Sequence, residues 1–331
     1  MNPHLLLLVA PLLAGAAEPK PHVFHGRIER RDPAFDRLVA PDAQFEKLAE
    51  GFTWAEGPVW LDGGLIFSDV PQNIAYRWQP GLTRAEVFLK PSGLLTPAPG
   101  FREPGSNGLA HDAQGRLLLC QHGERRIARY EHGQFTAIAD RFEGKRFNSP
   151  NDLAVRKNGD IYFTDPPYGL EKGNDSPLKE LPFHGVYRVS PDGKVTLLAK
   201  DMLYPNGIGF SPDEKILYVG STEPRTPHVA AFDVQADGTL ANERMFFDAV
   251  PLLKDGARNG CDGMKVDREG NVWTTGPGGV LVVSPAGKLL GVLNTGEPTA
   301  NCGWGDDGST LYITANRYLL RVKTLTKGAG W

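Results

Sequence analysis

Six residues with a side-chain oxygen recur at one place in a repeated phrase: Glu56, Asn107, Asn151, Asn206, Asp262 and Asn301. Two are carboxylates and four are carboxamides, with no His or Cys among them. Hard donors of this kind suit calcium, magnesium or manganese over zinc or copper. Calcium takes about six to eight oxygens at roughly 2.3–2.6 Å and tolerates an irregular set completed by water. Two acids in one such set repel each other unless a cation sits between them. The competing reading is a plain turn: four of the six are followed by Gly, and Asn-Gly and Asp-Gly are hairpin signals. A second turn eight residues on (Asp112 to Gly115, Asp267 to Gly270) already supplies the hairpin, which frees the first position for other work.

The elements that must position these residues follow from the phrase itself. An apolar residue stands ten positions after each: Ile66, Leu117, Ile161, Ile216, Val272 and Leu311. A Gly stands eight positions after four of them, while the fourth copy has Glu214 there and the sixth has its glycine one place earlier, at Gly308. The steps between copies are 51, 44, 55, 56 and 39 residues. A period near fifty marks a propeller or solenoid, and short runs alternating at period two are strands. The expected fold is therefore all-β, a six-bladed β-propeller with the six oxygens at the start of the innermost strands and a metal site in the central channel. Ring closure is expected from Phe45 to Leu48 pairing beside Leu319 to Val322, which removes exposed sheet edges.

Residues 1–17 are apolar, too short to span a bilayer, and end in small residues. They read as a signal peptide, which implies export to the periplasm or medium. Residues 18–44 read as a loose polar lead-in, and 45–331 as one propeller domain. No later run is long enough for a membrane span. The net charge of -3 gives no reason to expect nucleic acid. The 39 Gly and 27 Pro fit many tight turns. Cys120, Cys261 and Cys302 have no zinc spacing; they read as buried thiols, with a Cys261–Cys302 bridge as the alternative. Two Pro- and Gly-bearing insertions, 91–105 and 166–184, read as rim loops that roof a site. His122 ends a strand and is expected to reach the channel as a substrate contact, whereas His111 reads as structural. No Gly-x-Ser-x-Gly elbow, P-loop or dinucleotide fingerprint occurs.

Ala55-Glu56-Gly57-Pro58-Val59-Trp60, Ser149-Pro150-Asn151-Asp152, Pro205-Asn206-Gly207 and Cys261-Asp262-Gly263-Met264 resemble the gluconolactonase and senescence-marker-protein (regucalcin) family from about residue 45 to the C-terminus. The resemblance implies a lactone hydrolase with one divalent cation, calcium first, with magnesium, manganese, zinc or ferrous iron as alternatives. It implies a metal held by Glu56, Asn206 and Asp262, with Asn151 touching metal or substrate. Asn107 and Asn301 would line the channel, Asn107 as a substrate contact. The metal would polarise the lactone carbonyl, and Asp262 or a metal-bound hydroxide would activate water. Two other readings use the same site. One is phosphotriester hydrolysis, since the diisopropyl fluorophosphatase propeller is similar; the other is a non-enzymatic binding module with a structural metal. The substrate, a small lactone, is the expected partner; the sequence leaves the oligomeric state open.

Overall fold

The computed structural model describes residues 22–253 and 260–331. The run at 1–17 that reads as a signal peptide lies outside the described residues. Six antiparallel sheets of four or five strands follow one another along the chain, with a two-stranded hairpin, Arg141–Phe142 with Lys145–Arg146, between the second and the third. The first blade is Ala55–Leu61, Gly64–Asp69, Ile74–Trp78 and Glu86–Leu89. The second to fourth blades begin at Ser106, Leu153 and Pro205 and also have four strands each. The fifth begins with Met264–Val266 and the sixth with Thr299–Gly305. Among the described residues no helix is long and apolar enough to cross a membrane.

Each blade is too thin to bury two faces, so the cores lie between blades. Val59, Ile66 and Leu89 of the first pack with Leu109, Leu117 and Leu119 of the second. The same happens around the ring to Leu48, Ala49, Tyr312 and Leu319 of the sixth blade, which pack with Ala55, Leu65, Phe67 and Trp78 of the first. The ring closes as expected, with Glu46–Glu50 as the outer strand of the sixth blade. Ala49 pairs with Leu319 and Glu46 with Arg321.

The repeat's glycine answers to backbone conformation. Gly115, Gly159 and Gly270 have φ of 73°, 89° and 84°, a region that costs a side chain steric energy. Glu214 takes this conformation too, at φ 56°. Its carboxylate ties the fourth blade to the third, accepting from Lys157 N at 2.9 Å and Arg156 Nε at 3.3 Å.

The stretch 18–44 departs from expectation where it is described: it is a strap. Arg27–Arg30 adds a fifth strand to the fifth blade, and His22–Val23 adds one to the sixth. Between them, Asp32 caps the short helix Pro33–Arg37, accepting from Ala34 N at 2.8 Å. That turn drives Phe35, Leu38 and Val39 into the core shared by the fifth and sixth blades, against Trp273, Val280, Leu293 and Trp304. Gly291 makes room, since a Cβ there would lie 2.7 Å from the Phe35 ring. Phe35→Ala is expected to cost about 3–5 kcal/mol of stability. Chemical denaturation measures this, and a loss below about 1 kcal/mol would show the strap to be peripheral.

Candidate active site

The six oxygen-bearing residues stand at one level of the six innermost strands. Glu56, Asn107, Asn206 and Asn301 lie where the strand pairing slips register: between Glu56 and Val59, Ser106 and Leu109, Pro205 and Ile208, and Thr299 and Asn301. Such irregularities re-aim side chains that the pleat would otherwise turn into the sheet. Asn151 and Asp262 precede strands that begin at Leu153 and Met264.

The glycine after the ring residue has a cause other than a hairpin. A Cβ on Gly57 would lie 2.1 Å from Asn107 O, and one on Gly207 2.1 Å from Asp262 O. Each glycine admits the backbone of the next blade's ring residue. Gly108 goes further and donates its N–H to Asn151 O at 2.7 Å. Hydroxyls of the second strands lock the same joints: Ser68 Oγ donates to Asn107 O at 2.9 Å, and Thr164 Oγ1 to Asn206 O at 2.7 Å.

Above the ring opens a cleft of about 340 Å³ lined by Glu56, Asn107, Asn151, Asn206 and Asp262. Asn301 lies beneath it, 1 % exposed. Its amide donates to Glu56 Oε2 at 3.1 Å, and its own oxygen accepts from Cys302 N at 2.9 Å. With that oxygen engaged, Asn301 orients Glu56. His122 does not line the cleft, contrary to the expectation of a substrate contact. It is fully buried behind the wall, next to Asn151, and burial pushes its pKa down to about 3, so it is neutral. His111 is exposed on the far side of the ring. All three cysteines are buried and free, and Cys302 Sγ lies 3.4 Å from Trp273 O.

The electrostatics of the cleft are those of a dry acidic pocket. Burial, then the Asp152 charge, pushes Glu56 up to about 8. Burial, then Glu56, pushes Asp262 well above the usual carboxylate range, while a hydrogen bond from Asn206 opposes this. Asn151 Oδ1 and Asp262 Oδ1 are buried with no hydrogen-bond partner. Unpaired buried oxygens are costly, and two facing carboxylates call for a counter-charge. The donor set of carboxylate and amide oxygens fits a hard divalent cation. Among the described residues no three or more His, Cys, Asp and Glu side chains gather as a metal cluster, so amides must supply part of any such set.

Among the lining residues outside the ring are Arg102, Glu103, Tyr168 and Thr222, to which the sequence assigned no part in the site. The first three come from the two insertions, which pack on each other. Arg102 N donates to Gly169 O at 3.0 Å, and Glu171 N to Gly100 O at 2.9 Å. Tyr168 bonds through its hydroxyl to Thr222 Oγ1 of the fourth blade and stacks on Tyr204 at 5.8 Å. Asp152 was also missed. It replaces the glycine after Asn151, is buried, and stands 3.5 Å from the Asn301 amide.

The fold is a six-bladed β-propeller with a polar cleft at the level of its innermost strands. The chain belongs to the SMP-30/gluconolactonase/LRE-like family, whose model matches residues 54–317. It is 38% identical over 312 residues to a gluconolactonase of Zymomonas mobilis, covering 92% of this chain and 87% of that one. A solved gluconolactonase of Xanthomonas campestris is 33% identical with a TM-score of 0.80, over 94% of this chain and 99% of that one. A regucalcin of Agrobacterium tumefaciens, described as a calcium-binding protein, shares the fold with a TM-score of 0.64 and 20% identity, over 85% of this chain and 96% of that one.

Proposed function

We propose that this protein is an exported hydrolase that opens sugar lactones with the help of one divalent cation. The observation that carries the reading is the cleft itself: it is lined by the carboxylates of Glu56 and Asp262 and by Asn151, with Asn151 Oδ1 and Asp262 Oδ1 buried and unpaired. The 38% identity to a gluconolactonase supports the substrate class. Glu56, Asn206 and Asp262 would hold the cation, with Asn151 beside it; calcium is the first choice for an all-oxygen set. When bound, the cation supplies positive charge to a polarised carbonyl oxygen, a contribution of several kcal/mol. Asp262 takes the proton of the attacking water. Asn107 and Asn151 orient the sugar hydroxyls by amide hydrogen bonds, and the 91–105 and 166–184 loops hold bulk water off. General-base help of this kind is worth roughly a hundred- to ten-thousand-fold.

The test is proton release from glucono-1,5-lactone by chelated protein, then after adding back calcium, magnesium, manganese, zinc or ferrous ion, with a phosphotriester assayed in parallel. Activity on the lactone that vanishes with chelator and returns with one cation is expected. Turnover of the phosphotriester alone, or of neither substrate by a cation-loaded protein, would overturn the reading.

A further inference from the structure

Glu103 is a third carboxylate in the cleft, and it does not belong to the ring. It comes from the 91–105 insertion, and its side chain is 21% exposed. Its backbone is fixed, donating N–H to Gly169 O at 3.3 Å. The charged and titratable groups that face it come from four elements. Arg102 of its own loop places Nη2 3.2 Å from Oε1. His122 of the second blade places Nδ1 3.9 Å from Oε2, with neither ring nitrogen hydrogen-bonded. The Glu103 charge helps to raise the pKa of Asp262 on the fifth blade, and Tyr168 of the other insertion lines the same cleft.

Resting on the lactonase reading, we propose that Glu103 is the general acid that protonates the leaving oxygen when the lactone ring opens. The two carboxyl groups line one cleft from different elements. Asp262 belongs to the ring at the start of the innermost strands, and Glu103 comes from the insertion that packs on it. Lactone opening makes an alkoxide, a poor leaving group unless a proton reaches it as the bond breaks. The water oxygen bonds to the carbonyl carbon and its proton goes to Asp262. The ring C–O bond then breaks, and Glu103 gives its proton to the departing oxygen, which becomes the product hydroxyl. The product is the hydroxy acid, and solvent returns one proton from Asp262 to Glu103. Burial favours the protonated form of Glu103, while Arg102 opposes this. Two carboxyl groups given opposite roles by their surroundings is a common catalytic arrangement.

The plain alternative is that Glu103 only pairs with Arg102 to hold the loop. Glu103→Gln separates the two, because glutamine keeps the length and a hydrogen bond to Arg102 but has no acidic proton. The expected result is a fall in kcat on glucono-1,5-lactone of about ten- to a thousand-fold, with KM, cation binding and thermal midpoint close to wild type. Wild-type kcat falls as pH rises through the pKa of the acid, and this limb is absent in the variant. Glu103→Asp, which keeps the proton on a shorter arm, recovers part of the rate. A kcat within threefold of wild type, a wild type without that limb, or a loss that tracks cation binding or stability would each overturn the assignment. A wild type inactive on every lactone would instead strike the underlying reading.

Discussion

Asp262→Asn is expected to leave a folded protein that opens lactones about a hundred- to ten-thousand-fold more slowly than wild type. The two side chains have the same shape, so the packing of Cys261 and Met264 around it is undisturbed. What is lost is the proton acceptor. Asp262 Oδ1 lies buried and unpaired where the residue lines the cleft, and burial raises its basicity above that of an ordinary carboxylate. Glu56, Asn151 and Asn206 remain, so cation affinity weakens without disappearing. Single-turnover rates at saturating cation make the measurement. If high cation concentration restores the full rate, Asp262 serves only as a ligand and the base lies elsewhere.

The second large effect concerns the metal-free protein. Glu56 is raised from 4.5 to about 8, first by burial and then by Asp152. A carboxylate with a raised folded pKa gives its full stability below the unfolded pKa, and that stability is lost as pH rises through the folded value. Chelated wild type is therefore expected to lose thermal midpoint steadily between about pH 5 and pH 8, with Asp262 adding to the same trend. Glu56→Gln removes much of this slope and is more stable than chelated wild type at pH 8, yet it lacks turnover. Added cation restores the wild-type midpoint at pH 8 and has little effect on the variant. Equal midpoints for chelated wild type at pH 5.5 and pH 8 would contradict this account.

Both predictions rest on residues that the sequence exposed because they recur. The ring could be read from one eleven-residue phrase written six times. Its register against the turn glycine identified the innermost strands, and all but Asn301 of the six reach the cleft. The residues that escaped do not recur. Arg102, Glu103 and Tyr168 sit in insertions with no counterpart in other blades, so nothing in the spacing aims them inward. Asp152 hides where a glycine is usual. The strap was hidden by its composition: Arg27–Arg30 has only Ile28 as an apolar residue, and Phe35, Leu38 and Val39 follow no strand period. His122 ends a second strand, a place from which a side chain can face the axis, but the loops carrying Glu103 and Gly169 cover it.

The closure of the ring also sets a schedule for the site. Glu56 is on the first blade and Asp262 on the fifth; the sixth stands between them and takes its outer strands from the beginning of the chain and its inner ones from the end. Joining segments so far apart is entropically late. Through most of synthesis the second, third and fourth blades can mature while the two acids have no fixed separation. Their spacing, and with it any affinity for a cation, is defined only when residues 46–50 meet residues 318–323. Assembly of the ring and maturation of its chemistry are then a single event, so a chain cut short before the last blade would be inert toward both metal and lactone however well its middle had folded.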